Sequence, residues 1–183
     1  MKKVYISDKT EMALASLRNI SKQHILYDSF YEAEVDDDFH VNVSDQAIVY
    51  DQAIVSGNAL VQDYAWVSDN ALVSDNAVIG GLVSISGNAL VYDNAVILGY
   101  SKVYGNAEVY GNAVISGNAE VYGNAMVYGN ATVFDLSSVS GYAEVFGNAW
   151  VYGQSSISGN ARVYGDARVS QRTIISGDEE IDG

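Results

Sequence analysis

The residues with the widest chemical repertoire are few. The chain of 183 residues holds two histidines, His24 and His40, and no cysteine. A lone imidazole suits general-base work, whereas a catalytic zinc wants three protein ligands and an open position. Two histidines without a thiolate do not complete that set. No Ser-His-Asp constellation and no phosphate-binding Gly loop ahead of a helix stands in the chain, so neither a nucleophile nor a phosphate cradle is expected. Asp36, Asp37 and Asp38 are three adjacent carboxylates able to hold a cation, and read most simply as a solvated linker. The expectation is a chain with no catalytic residue, no cofactor and no metal. One further series has chemical potential: Tyr92, Tyr110, Tyr128, Phe146 and Tyr164 recur every 18 residues. Such rings either stack on one another or offer a platform to sugar rings or a partner's side chains.

The spacing of that series belongs to a wider register. From Val43 to Ile181 an aliphatic residue falls on every sixth position without insertion or deletion, and all 24 are Val or Ile. A small residue, usually Ala, stands two positions before each, and Gly or Asp two positions after. The unit reads A-x-V-[YS]-[GD]-N, as in Ala107 to Asn112. In an extended segment alternate residues point to opposite sides, so Ala and Val go inward and their neighbours outward. Gly-Asn or Asp-Asn then turns the corner, because those residues accept the positive φ that a β-branched residue resists. Three such sides close a triangular coil of 18 residues, and residues 41–183 make about eight coils. Inter-coil hydrogen bonds set a spacing of about 4.8 Å, giving a rod roughly 35–40 Å long.

The stretch Val103-Tyr104-Gly105-Asn106-Ala107-Glu108-Val109-Tyr110-Gly111-Asn112-Ala113 resembles the hexapeptide-repeat superfamily of left-handed parallel β-helices and, within it, the YdcK-like proteins. The resemblance covers 41–183. It implies an all-β fold, a single-stranded left-handed parallel β-helix, and it alone supplies the handedness. It also brings enzyme readings, since the superfamily includes acyltransferases with a His as general base and carbonic anhydrases with zinc on three His. The acyltransferase reading falls on His40, beside the first coil.

Reading the chain at a spacing of 18 separates the three corners. One carries Asn58, Asn76, Asn94, Asn112, Asn130 and Asn148, and a second Asn70, Asn88, Asn106 and Asn124. Stacked amides of this kind hydrogen-bond along the axis. The third corner has bulkier residues, among them Tyr64, Leu82, Tyr100 and Leu136. The face leading into it has outward positions Leu60, Val78, Val96, Val114, Thr132 and Trp150, with Leu98, Phe134 and Tyr152 beside them. Together these form an apolar strip of a size that soluble monomers rarely expose. The expected interface is therefore Leu60, Tyr64, Val78, Leu82, Val96, Leu98, Tyr100, Val114, Phe134, Leu136, Trp150 and Tyr152.

Residues 1–40 break the register and read as a short N-terminal cap, with a helix after Thr10 in which Leu14, Leu17 and Ile20 share a face. Solenoid ends need such covers, since an open coil is a template for edge pairing. Net charge is −14, of which −3 lies in 1–40 and −11 in 41–183. That balance argues against a nucleic-acid partner. No membrane-length apolar run and no signal-like start stand in the chain, so a cytoplasmic setting and no membrane partner are expected. The functional expectation is a non-catalytic protein-binding or assembly scaffold, its partner a second copy or a foreign protein. The alternatives are an acidic inhibitor or mimic filling a basic cleft, and an acyltransferase-like enzyme.

Overall fold

The computed structural model describes residues 2–7, 21–23, 30–35, 43 and 46–183. Among them every regular element is a strand. The first three, β1 (Lys2–Ser7), β2 (Ser21–Gln23) and β3 (Phe30–Val35), form an antiparallel sheet in the order β1-β3-β2. β1 and β3 pair from Lys2 with Val35 to Ser7 with Phe30. β1 runs close to β4 (Ile48–Val49), the first strand of the solenoid. The described parts of the cap segment are extended, and the alternation in Phe30-Tyr31-Glu32-Ala33-Glu34-Val35 is a strand signal. The helix expected after Thr10 lies outside the described residues, as do His24, Asp36, Asp37, Asp38 and His40.

The solenoid is as the hexad register requires. Its strands, mostly two residues long, form three parallel sheets of eight, eight and seven strands, each strand pairing with those three places before and after it in the chain. Val96 and Ile97, for example, sit between Val78 and Ile79 of one coil and Val114 and Ile115 of the next. We call the three sides the Leu60, Trp66 and Leu72 faces after an early outward residue of each. The Leu60 face consists of β6 (Leu60–Val61), β9 (Val78–Gly81), β12 (Val96–Gly99), β15 (Val114–Ile115), β18 (Thr132–Val133), β21 (Trp150–Val151) and β24 (Arg168–Val169).

The interior is a stack of aliphatic and small side chains. Val61 to Val163 on the inward positions are sealed from solvent, with Ile79, Ile85, Ile97, Ile115 and Ile157 the largest of them. Burying each is worth about 1.5–3 kcal/mol. The Ala two positions earlier lets the opposite wall approach, and its N–H closes the turn, as Ala95 N does to Tyr92 O at 3.3 Å. Along the rod the ladder is uniform: Val114 N donates to Ala131 O, and Asn112 N to Gly129 O, at 2.9 and 2.7 Å.

The Gly-or-Asp choice at the corners has two physical sources. All these positions hold positive φ, with Asp63, Asp69, Asp75, Asp93 and Asp135 near +60°. An Asp there returns something for its strain, since its carboxylate reaches one coil onward: Asp63 Oδ2 accepts from Gly81 N at 2.8 Å, and Asp69 Oδ2 from Gly87 N at 2.9 Å. Gly81, at φ +96°, is different, because a Cβ there would lie 2.6 Å from Gly99 O. Gly177, at φ +67°, has no atom within 4 Å of such a Cβ. Gly177→Ala should therefore cost only the left-handed strain, about 1–2 kcal/mol, while Gly81→Ala adds overpacking for a total of about 2–5 kcal/mol. Urea midpoints of the two variants check this; equal shifts would mean that coil spacing tolerates a methyl group.

Candidate functional site

The Leu60 face brings the expected interface residues together. Leu60, Val78, Val96, Val114, Thr132 and Trp150 are in register on consecutive strands. Leu98 and Trp150 are 37% and 43% exposed, large for apolar side chains on a regular sheet, while Val78, Val96 and Val114 are half-buried between them. Phe134 stacks on Tyr152 at 5.0 Å between centroids and meets Trp150 edge-on at 5.9 Å. Tyr64, Leu82, Tyr100 and Leu136 stand exposed along the adjoining corner. β9 and β12 run two residues longer than their neighbours, pairing Leu98 with Gly80 and Gly99 with Gly81. The apolar residues thus share one face and its corner, with Ser116, Asn118 and Thr132 set among them.

Its backbone is held by residues that composition alone does not single out. At this corner Ser101, Ser137 and Ser155 replace the inward Ala and are buried. Their hydroxyls donate to Leu98 O at 2.7 Å, Phe134 O at 2.6 Å and Tyr152 O at 2.9 Å. Each carbonyl so tied belongs to a strip residue. The signal was present as Ser at the Ala position, in columns spaced by 18.

The aromatic series is a ladder. Tyr92, Tyr110, Tyr128, Phe146 and Tyr164 stack with centroids 4.9–5.1 Å apart and nearly parallel planes. Each ring face is occupied by the next ring, which favours the structural reading over a sugar platform. A second, shorter stack, Tyr104 on Tyr122 at 5.0 Å, was not anticipated although the same spacing reveals it. The hydroxyls also find partners one coil on: Tyr128 OH donates to Glu144 Oε2 at 2.9 Å, Tyr104 OH to Glu120 Oε2 at 3.3 Å, and Tyr92 OH to Glu108 Oε2 at 3.4 Å. Arg162 lies between Glu144 and Glu180 at 3.6 Å from each, over the Phe146 ring. The Asn columns bond along the axis as expected, Asn112 Nδ2 to Asn130 Oδ1 at 3.1 Å and Asn88 Nδ2 to Asn106 Oδ1 at 2.9 Å.

Outside the strip, Ile54, Trp66, Tyr142 and Ile174 are exposed apolar residues that the strip does not absorb. Among the described residues no three of His, Cys, Asp and Glu form a group able to hold a metal ion, and no helix is long and apolar enough to cross a membrane.

A family model described as the YdcK beta solenoid repeat matches residues 53–69, 65–81, 85–99, 119–135, 156–171 and 161–177. The chain carries YdcK β-solenoid repeats. All six matched segments lie within the coils, and they include Leu60, Tyr64, Val78, Val96, Leu98 and Phe134 of the strip and Tyr92, Tyr128 and Tyr164 of the ladder. No curated protein matches the chain. Among solved structures it is similar to the UDP-N-acetylglucosamine acyltransferase of Francisella novicida, at 15% identity and a TM-score of 0.42, over 74% of this chain and 66% of that one. The chain thus spans just under two thirds of that protein's length.

The ladder gives the YdcK repeats a pH dependence. Burial, then the charge of Glu108, pushes the Tyr92 phenol up to about 12. For Tyr128 burial comes first and the bond to Glu144 second, again to about 12. A phenol whose proton is held more tightly in the folded chain contributes stability that is intact below the unfolded value of about 10 and lost as pH rises through about 12. Melting temperature should hold to about pH 10 and then fall. Tyr92→Phe with Tyr128→Phe keeps the stack, as Phe146 does natively, and should make that fall shallower. An unchanged slope would remove these two tyrosines from the alkaline transition.

Proposed function

We propose that the protein is a non-catalytic protein-binding or assembly scaffold, and that the apolar strip of the Leu60 face is its contact surface. The observation that carries this reading is the run of the strip along one face. Six consecutive coils, from Leu60 to Trp150, place apolar or uncharged side chains outward at the middle of one face, and the seventh ends the column in Arg168, while the chain as a whole carries −14. Patches of that kind on soluble proteins mark interaction sites. The strip is also rigid, since its strands are locked by the ladder on both sides and its corner carbonyls by Ser101, Ser137 and Ser155. A surface ordered in advance loses little entropy on binding.

The acidic-inhibitor reading has one observation in its favour, the −11 concentrated in 41–183. It requires a salt-sensitive complex with a cationic partner. The acyltransferase reading rests on His40, outside the described residues, and no described residue adds to it.

Val96→Glu with Leu98→Glu tests the strip directly. Both side chains point outward, so the fold should persist with a stability change of about 1 kcal/mol or less. Light scattering at low and high salt should show the wild type as a salt-insensitive assembly, or in salt-insensitive complex with its partner, and the variant without it. Association unchanged in the variant would take the role from the strip; a wild-type complex that dissolves with salt would move the acidic-inhibitor reading ahead.

A further inference from the structure

We infer that the occupant of the strip is a second copy of this chain, packed with its axis antiparallel about a two-fold axis through the coil of Val114. This rests on the strip being a contact surface and names its partner. The grounds are the order of side chains along each outward column. A two-fold axis lying along the strand direction at Val114 sets every column against its own reverse. Trp150 then faces Val78, so the bulkiest exposed side chain of one half meets a half-buried, smaller one of the other. Gly80, paired with Leu98 on the neighbouring strand, is buried against the Gln62 side chain and the Asp63 carboxylate and offers no opening. Leu98 meets Phe134 in the same column, and Tyr100 meets Leu136 along the corner. Parallel axes, by contrast, put Trp150 and Tyr152 against their own kind at one level and gather Arg168 and Arg172 of both copies at one end.

Charge follows the same axis. The solenoid has four basic residues, Lys102, Arg162, Arg168 and Arg172, and the last two stand together at the C-terminal end of this face. The opposite end carries Leu60, Asp63 and Tyr64. The antiparallel arrangement sets Arg172 over Tyr64 and beside Asp63, joining cation to ring and carboxylate. It also lays the aliphatic stem of Arg168 on Leu60. Area is sufficient: seven coils at about 4.8 Å and a face about 18 Å wide offer roughly 600 Å² per copy, about 1,200 Å² in all, the lower end of stable interfaces.

The chain has no cysteine, so single thiols report without background. Spin labels at Asn112→Cys and Asn58→Cys, on the corner flanking the strip, measure the arrangement by pulsed electron resonance. In the antiparallel pair Asn112 lies beside its own copy, whereas Asn58 lies opposite the partner's far end. The label separation should therefore be longer at Asn58→Cys by roughly 20 Å, with a wild-type mass of twice 19.6 kDa at low and high salt. Equal separations, a threefold mass or a 19.6 kDa monomer overturn the inference. A monomer leaves the strip free for a foreign protein, and the scaffold reading stands. A dimer that persists in the Val96→Glu, Leu98→Glu variant removes both.

Discussion

The constraint beneath every other feature is the axial hydrogen-bond ladder. Residue after residue donates its N–H to the carbonyl 17 positions on, as Val96 N does to Ala113 O at 2.9 Å. That fixes the coil spacing at about 4.8 Å, and residues 18 apart then have no choice of neighbour. Where the repeated side chain is Asn, amides bond in a line; where it is Tyr, rings stack; where it is Val, the core fills. Chemistry that favours self-contact at that distance stabilises the rod many times over. A like-charged column would be penalised as often. On its faces the solenoid pairs charges, Lys102 on Glu120 at 2.9 Å and Arg162 between two glutamates, while at a corner Asp75 stands one coil from Asp93 and its carboxylate accepts the Asp93 N–H at 3.3 Å.

Departures from the repeat are informative for the same reason. At two corners the Asn columns and the Ala turns repeat almost without interruption. At the third, Asn gives way to Tyr64, Leu82, Tyr100 and Leu136, and Ala to Ser101, Ser137 and Ser155. Rod stability does not require these changes, since the Asn and Ala version works elsewhere in the same chain. The serines keep the turn closed by a side-chain bond in place of the Ala N–H bond. The bulky residues exchange a satisfied amide for exposed apolar surface, a trade that water disfavours. The third corner thus presents apolar groups where the other two stack amides.

The solenoid was legible in the sequence because its signal is additive. Each hexad is weak evidence alone, but 24 in one register admit few other folds, and the inward identity of Val49 or Ile115 follows from period alone. The Asn and Tyr columns came from the same arithmetic at 18. What escaped is what depends on two columns at once. The bonds from Tyr92 to Glu108 and from Tyr128 to Glu144 span 16 residues, one coil less two positions. Ser137 acts on Phe134 across a corner. In the cap no repeat averages out error, and the strands β1 and β3 were not read from the alternation of their residues.

The geometry also bears on the contact role proposed for these coils. Catalysis gathers unlike groups at one point, within hydrogen-bond reach of a reacting atom. A regular solenoid does the reverse. It spreads like groups along lines, points Val, Ile, Ala and Ser inward to a sealed core, and leaves its outward groups on convex corners and flat faces. A flat, stiff face with graded side-chain size along its length is poor at surrounding a small molecule and well matched to another flat face. The step from Val78, Val96 and Val114 to Trp150 and Arg168 supplies that grading. Because the bulky aromatic and the cation stand toward one end, the face has a direction, and a surface with a direction distinguishes one way of being covered from the other.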